Sequence, residues 1–181
     1  MKVTIINGSP RRNGNTSALT SRIKSFLPEC DVKEIHIFNM SISGCSNCQS
    51  CSRCAPPGKC SIDDDMSALY KEFDEADVMI LASPIYMWQM TPATLAFLNR
   101  LHCLCRSSDF SFNKMEGKRI ALALTMGDEG EVADFAVNGI IEFCKFFKIS
   151  YLGDCRIEYA DDAILKGLHD ERIKDFVENL L

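Results

Sequence analysis

Glycine and proline are sparse in this chain, 10 and 6 of 181 residues. With 46% apolar and 25% charged residues beside them, that scarcity excludes collagen-like repeats, low-complexity tracts and intrinsic disorder. There is no basic stripe; lysine and arginine are scattered, the net charge is −5, and nucleic acid is not an expected partner. No apolar run approaches the roughly 18 residues that span a bilayer. The strongest, Val78 to Ala82, is the length of a strand. The apolar start breaks at Asn7-Gly8, too early for a signal-peptide core, so the expectation is a cytoplasmic protein that avoids membranes. Internal repeats and linkers are missing as well, which makes 1–181 one expected domain, with a cysteine-rich insertion at about 41–62.

What is present is an alternation of strand-like and helix-like stretches. Lys2–Asn7, Val32–Phe38, Val78–Ala82, Lys118–Leu124 and Ser150–Tyr159 read as strands. Helical spacing recurs at Leu19, Ile23, Phe26 and Leu27, and again at Leu69, Tyr70, Phe73 and Ala76 behind Asp65 as cap. Thr91-Pro92 opens a third helix through Leu95, Leu98 and Leu101. Val132, Phe135, Ile140, Cys144 and Phe147 stripe a fourth, and 163–181 reads as a closing helix. Five β-α units with right-handed crossovers predict an α/β, flavodoxin-like three-layer sandwich. Its parallel sheet would run 2-1-3-4-5, with the ligand site at the carboxyl ends of its strands.

Two loops at that expected crevice carry unusual residues. The first, Gly8-Ser9-Pro10-Arg11-Arg12-Asn13-Gly14-Asn15-Thr16-Ser17, gathers glycines and hydroxyls at a helix start, where free N–H groups attract an anion. Five residues rather than four separate Gly8 from Gly14 and no lysine follows, so it is not a Walker A loop. With no cysteine it is not a phosphatase loop either, and a terminal phosphate is the expected ligand. The second loop, Ser83-Pro84-Ile85-Tyr86-Met87-Trp88-Gln89-Met90, presents aromatic and thioether side chains that call for cover by a flat ring, by a second subunit, or by the domain's own core.

Asn7-Gly8-Ser9-Pro10-Arg11 with Asn15-Thr16, followed far downstream by Ser83-Pro84-Ile85-Tyr86, resembles the NAD(P)H-dependent FMN reductases of the flavodoxin-like superfamily. The resemblance runs from Met1 to about Tyr159. It implies FMN, with Ser9, Arg11, Asn15, Thr16 and Ser17 around the phosphate and Pro84, Ile85, Tyr86, Met87 and Trp88 flanking the ring. Thr125-Met126-Gly127-Asp128-Glu129-Gly130 stands where the family has a third, more glycine-rich loop; Thr125 and Gly127 are taken as ring contacts, their backbone N–H groups facing charge on the reduced ring. The resemblance further implies a nicotinamide donor and a small-molecule or protein acceptor, while the Trp88 to Met90 surface itself suggests a homodimer or higher homo-oligomer that closes the flavin site.

The ten cysteines are concentrated: five fall between 45 and 60. Cys45, Cys48 and Cys51 have the C-x2-C-x2-C spacing of a bacterial ferredoxin run, with Cys60, or alternatively Cys54, as fourth ligand. This looks like the iron-sulfur flavoproteins and their [4Fe–4S] cluster. Plain FMN reductases carry similar cysteines followed by acidic residues, as at Asp63-Asp64-Asp65, so cluster and free thiols both stay open. His36, His102 and His169 have no ligand partner at sequence spacing, Cys103 and Cys105 read as buried thiols, and the aspartate run reads as helix capping. No acid–base pair or nucleophile triad stands out, which suits flavin-borne chemistry. Three functions follow: an FMN-dependent oxidoreductase fed by NAD(P)H, an electron-transferring iron-sulfur flavoprotein linked to ferredoxin, and a non-catalytic redox or metal sensor.

Overall fold

The computed structural model describes residues 1–53, 58–106, 109–160, 163–164 and 166–181. Five strands, β1 (Lys2–Asn7), β2 (Asp31–His36), β3 (Val78–Pro84), β4 (Arg119–Thr125) and β5 (Ser150–Ile157), form one sheet in the order β2-β1-β3-β4-β5. Every pairing is parallel. The expected flavodoxin-like topology is therefore the observed one. All seven residues of β3 are buried, because a central parallel strand is covered on both faces.

Side-chain alternation divides the core in two. On one face Ile6, Met79, Leu81 and Leu122 pack against α3 (Met66–Glu75), α4 (Pro92–Arg100) and α5 (Asp134–Phe147). On the other, Val3, Ile5, Ile80, Ala121 and Ala123 meet α1 (Asn15–Ser25) and α6 (Asp170–Glu178). Helix α2 (Ser50–Arg53) is a single turn inside the cysteine loop. Among the described residues no helix is long and apolar enough to cross a membrane.

Several expected boundaries move. Strand β2 stops at His36 rather than Phe38, and β5 at Ile157 rather than Tyr159, where φ turns to 45°. The closing helix occupies only 170–178, not 163–181: Gly167 at φ 76° and the turns around it end any earlier helix. Phe135, expected on the inner stripe of α5, is 68% exposed. Asp65 holds the cap position of α3 but makes no capping bond; the Met66 N–H donates instead to Asp64 Oδ1 at 3.1 Å, while Asp65 Oδ2 accepts from the Ser41 N–H at 2.7 Å. Thr91 does cap α4, with Pro92 behind it.

Candidate functional site

The crevice lies at the carboxyl ends of β1, β3 and β4. Gly8 leaves β1 with its N–H on the Ala82 carbonyl at 2.8 Å, still in ladder register with β3. Asn7, fully buried, then turns the chain: its Oδ1 accepts the Ser9 N–H at 2.9 Å. The Asn7 amide is itself held by Glu34 Oε1 at 2.8 Å, an oxygen that also accepts the Thr20 hydroxyl at 2.7 Å. Although burial works against the charged form, the hydrogen bonds from Asn7, Lys24 and Thr20 keep the Glu34 carboxyl below its usual range. Arg11 N–H closes on Ser9 Oγ at 3.3 Å and Gly14 N–H on the Arg11 carbonyl at 3.2 Å. Gly14 occupies the cap position of α1 and no side chain caps that helix, so its first turn presents its N–H groups to the crevice.

A cavity of about 150 Å³ opens there, lined by Ser9, Arg11, Asn15 and Thr16 on one side, Pro84, Ile85 and Tyr86 on another, and Thr125, Met126, Gly127 and Ala160 on a third. An adjoining cavity of about 250 Å³, with Met87, Trp88, Asp128 and Val132 in its wall, shares Ile85, Met126 and Gly127. The structure thus gathers eleven of the twelve expected cofactor-binding residues. Ser17 is the twelfth and lines neither cavity; its Oγ lies 3.3 Å from Asn7 Nδ2 and braces the loop from behind.

Sequence reasoning missed Met126 and Ala160 as lining residues; backbone hydrogen bonds hold both in place. The Met126 N–H donates to the Ile157 carbonyl at 3.0 Å and the Ala160 N–H to the Met126 carbonyl at 2.9 Å, while Asn15 Nδ2 donates to the Ala160 carbonyl. Because the Met126 N–H is committed to β5, the expectation that N–H groups from Thr125 to Gly127 all face the ring narrows at that position. The buried Thr16 and Thr125 hydroxyls meet at 2.7 Å and fasten α1 to β4 across the cavity floor.

The aromatic loop is a two-residue hairpin. Tyr86 and Gln89 exchange both backbone bonds, at 2.8 and 3.0 Å, and Met87 and Trp88 sit at its tip with φ of 48° and 63°. Two consecutive left-handed residues are the geometry of a type I′ turn, normally filled by Asn-Gly. Tyr86, Met87 and Trp88 are 46%, 80% and 56% exposed, so the domain's own core does not cover them. Bulky residues held in a strained conformation beside a cavity mark a surface built for contact rather than for stability.

The cysteine loop is different in kind. Cys45 and Cys48 are exposed, Cys51 and Cys60 half-buried, and Cys54 falls outside the described residues. Ser61 and Ser50 hydrogen-bond the Cys48 sulfur, at 3.4 and 3.6 Å, and lower its pKa to about 6. Cys51 Sγ lies 3.9 Å from His102 Nδ1, so His102 has a cysteine neighbour that sequence spacing hid. His36 likewise stands 3.5 Å from Glu34. Among the described residues, no three histidine, cysteine or acidic side chains gather closely enough to hold a metal ion. The ferredoxin-like spacing is therefore not, in this conformation, an assembled ligand set.

Beneath that loop is a feature the sequence concealed. The Arg100 side chain is fully buried and pairs with Asp64 at 2.6 Å. Burial opposes charge on Asp64, but hydrogen bonds from Arg100 and from the Ser43 and Met66 N–H groups hold its carboxyl below the usual range. The aspartate run is thus more than helix capping.

A family model described as NADPH-dependent FMN reductase matches residues 1–150. An iron-sulfur flavoprotein of Archaeoglobus fulgidus is 34% identical over 103 residues, 56% of this chain and 46% of that protein. An iron-sulfur flavoprotein of Methanosarcina thermophila is 30% identical over 122 residues, 67% of this chain and 63% of that one. The matched spans thus cover about half to two thirds of these curated relatives. Among solved structures, an FMN-dependent NADH-azoreductase of Bacillus anthracis in complex with FMN superposes over 99% of both chains, with a TM-score of 0.73 at 11% identity. At that identity the likeness is one of fold.

Proposed function

This chain belongs to the NADPH-dependent FMN reductase family, and on that premise we propose that it is an FMN-dependent oxidoreductase with its flavin in the crevice. The observation that carries the reading is the junction of an uncapped helix start, a ring of hydroxyls and an apolar, aromatic slot in two adjoining cavities that share Ile85, Met126 and Gly127. Such a pair suits a phosphate tail and a planar head.

Ser9, Arg11, Asn15 and Thr16 would hold the phosphate, with Arg11 supplying its countercharge and Ser17 bracing the loop. Pro84, Ile85 and Tyr86 would set one wall of the ring site and Thr125 with Gly127 the other. Bound there, FMN would supply the redox chemistry that links a nicotinamide donor, NADPH or NADH, to a small-molecule or protein acceptor. The residues of the chain bind, orient and shield it. The exposed Tyr86, Met87 and Trp88 fit a homodimer in which a second copy covers the ring, with 1–181 acting as one domain around its 41–62 insertion.

Titration of the purified chain with FMN, followed by flavin fluorescence and then by anaerobic addition of NADPH or NADH, tests this. Stoichiometric uptake and bleaching of the flavin absorbance are expected. A colourless protein that leaves FMN fluorescence unchanged would overturn the reading and favour a non-catalytic sensor.

A second reading, the iron-sulfur flavoprotein, is favoured by the C-x2-C-x2-C run of Cys45, Cys48 and Cys51, with Cys60 or Cys54 completing a [4Fe–4S] ligand set. The names of the curated relatives point the same way. Iron and acid-labile sulfide assayed after anaerobic purification decide it: about four of each per chain are expected if the cluster is resident.

A further inference from the structure

The cysteine loop is long, yet both its stems meet at one place. Ser41 N–H bonds Asp65 Oδ2 at 2.7 Å while the Asp65 N–H bonds the Ser41 carbonyl at 3.1 Å. Two residues further in, the Ser43 N–H reaches Asp64 Oδ2 at 3.0 Å. Under this junction lies Arg100, the last residue of α4. Its Nη1 donates to the Ser43 carbonyl at 2.9 Å and to Asp64 Oδ2 at 2.6 Å; its Nη2 donates to Asp64 Oδ1 at 3.1 Å and to the Ile62 carbonyl at 3.3 Å. One guanidinium therefore grips the segment entering the loop at Ser43 and the segment leaving it at Ile62 and Asp64. Its Nε is buried without a partner among the described residues, so the fork is aimed at the loop at the expense of its third edge.

We propose that Arg100 is a positioning residue for the cysteine loop. It draws both stems onto the end of α4, so that Cys51 and Cys60 lie against the core while Cys45 and Cys48 stay in solvent. Cys51 and Cys60 do pack on the cluster that includes Met66, Leu101 and Cys103. Tyr70, whose hydroxyl donates to the Arg100 carbonyl at 3.2 Å, belongs to the same packing. The other end of α4 is fixed just as firmly: Thr91 Oγ1 donates to the Gly8 carbonyl at 2.8 Å, at the start of the phosphate loop. Helix α4 is thus a strut with the crevice at its first residue and the thiols at its last. Its nine residues make the strut itself roughly 14 Å long. A planar five-donor fork is needed for four acceptors in this arrangement; the ammonium of lysine cannot reproduce it.

The test is residue-resolved alkylation by N-ethylmaleimide, read by mass spectrometry, in the wild type, in Arg100→Lys and in the double variant Arg100→Met with Asp64→Leu. The double variant removes both charges together, because either alone would leave its partner buried and unpaired. The exposed Cys45 is the accessible-thiol reference in the loop, and the buried Cys144 and Cys155 report global opening. In the double variant, alkylation of Cys51 and Cys60 is expected to rise by about tenfold or more, with Cys144 and Cys155 unchanged. Arg100→Lys is expected to give an intermediate rise. If Cys51 and Cys60 keep wild-type rates, or rise only in step with Cys144 and Cys155, the proposal is overturned. Should the double variant fail to fold, Arg100→Lys decides alone, and wild-type rates at Cys51 and Cys60 would overturn it. FMN uptake is measured on the same samples and bears only on the flavin reading; loss of the clamp is expected to leave it within about twofold, since no cavity residue is touched.

Discussion

The crevice and the cysteine loop occupy opposite ends of α4 and are held by opposite means. At the crevice, the sheet ladder continues past the strands: Gly8 on Ala82, Ile85 on Thr125, Met126 on Ile157 and Ala160 on Met126 are all backbone bonds of 2.8 to 3.0 Å. Each site loop is an extension of a strand end and inherits its rigidity. Among its described residues the cysteine loop has one short turn of helix, and its stem is fixed by side chains of Asp64, Asp65 and Arg100. A site built on strand ends resists most single changes in its side chains, whereas the stem of the cysteine loop converges on one ion pair, so a change at Asp64 or Arg100 removes several of its contacts together.

The largest expected effect follows from that convergence. Asp64→Ala strands the Arg100 guanidinium in a dry environment, and removing one member of a buried pair costs about 3–5 kcal/mol. Urea unfolding should register this loss. FMN uptake by the remaining folded protein should be little changed, because the crevice does not depend on Asp64; parallel loss of both would erase the distinction between the two regions.

Gly8→Val breaks the crevice instead. A Cβ at Gly8 would overlap Thr94 Oγ1 and press on Thr91 Oγ1 at 2.9 Å, so β1 and the start of α4 must separate. The expected cost is about 2–3 kcal/mol, with FMN uptake abolished in a fluorescence titration. Gly44 is the counterpart in the cysteine loop, and a Cβ there meets nothing within 4 Å. Gly44→Ala should change stability by no more than about 0.5 kcal/mol.

The same contrast explains what could be read in advance. The sheet was legible because Val78 to Ala82 is apolar throughout and because Thr91-Pro92 punctuates the start of α4. Most of the crevice was legible because Ser9, Asn15 and Thr16 concentrate hydroxyl and amide groups at one helix start. Met126 and Ala160 were hidden, since backbone bonds between loops distant in sequence bring them to the cavity and neither side chain carries a polar signal. The clamp was hidden more deeply: Arg100 on an amphipathic helix reads as solvated, and its partner lies 36 residues away. The left-handed tip at Met87 and Trp88 carried no signal either, because neither residue type favours that conformation. The closing helix was overextended because turn geometry around Gly167 outweighs the apolar spacing beyond it.

That strained tip offers a smaller effect with opposite signs on two readouts. Replacing Met87-Trp88 by Asn-Gly supplies the residues a type I′ turn prefers and should stabilise the chain by about 1 kcal/mol in urea. It also strips the apolar tip from the cavity wall, so FMN affinity should fall by about tenfold, or about 1.4 kcal/mol. A variant that gained stability and kept full affinity would mean the side chains at the tip do nothing for the flavin.

The smallest effect leaves the fold alone and separates the thiols by environment. Hydrogen bonds from Ser61 and Ser50 lower the Cys48 pKa to about 6, whereas burial pushes Cys155 and Cys144 up to about 12. Alkylation of Cys48 should therefore climb through pH 6 and be level by about pH 7–8, a region where the buried pair stays protonated and unreactive. Ser61→Ala removes the hydroxyl that contributes most to the lowering, so the midpoint is expected to move upward toward the ordinary thiol range. The linkage has the same direction: a depressed thiol pKa favours the folded state above the unfolded value and loses that contribution as pH falls toward 6. Because Cys48 is exposed, the rate profile rather than the unfolding curve is where the change should be read. A midpoint unmoved by Ser61→Ala would rule out the Ser61 hydroxyl and leave the contacts of Cys48 with Ser50 as the cause of the low pKa.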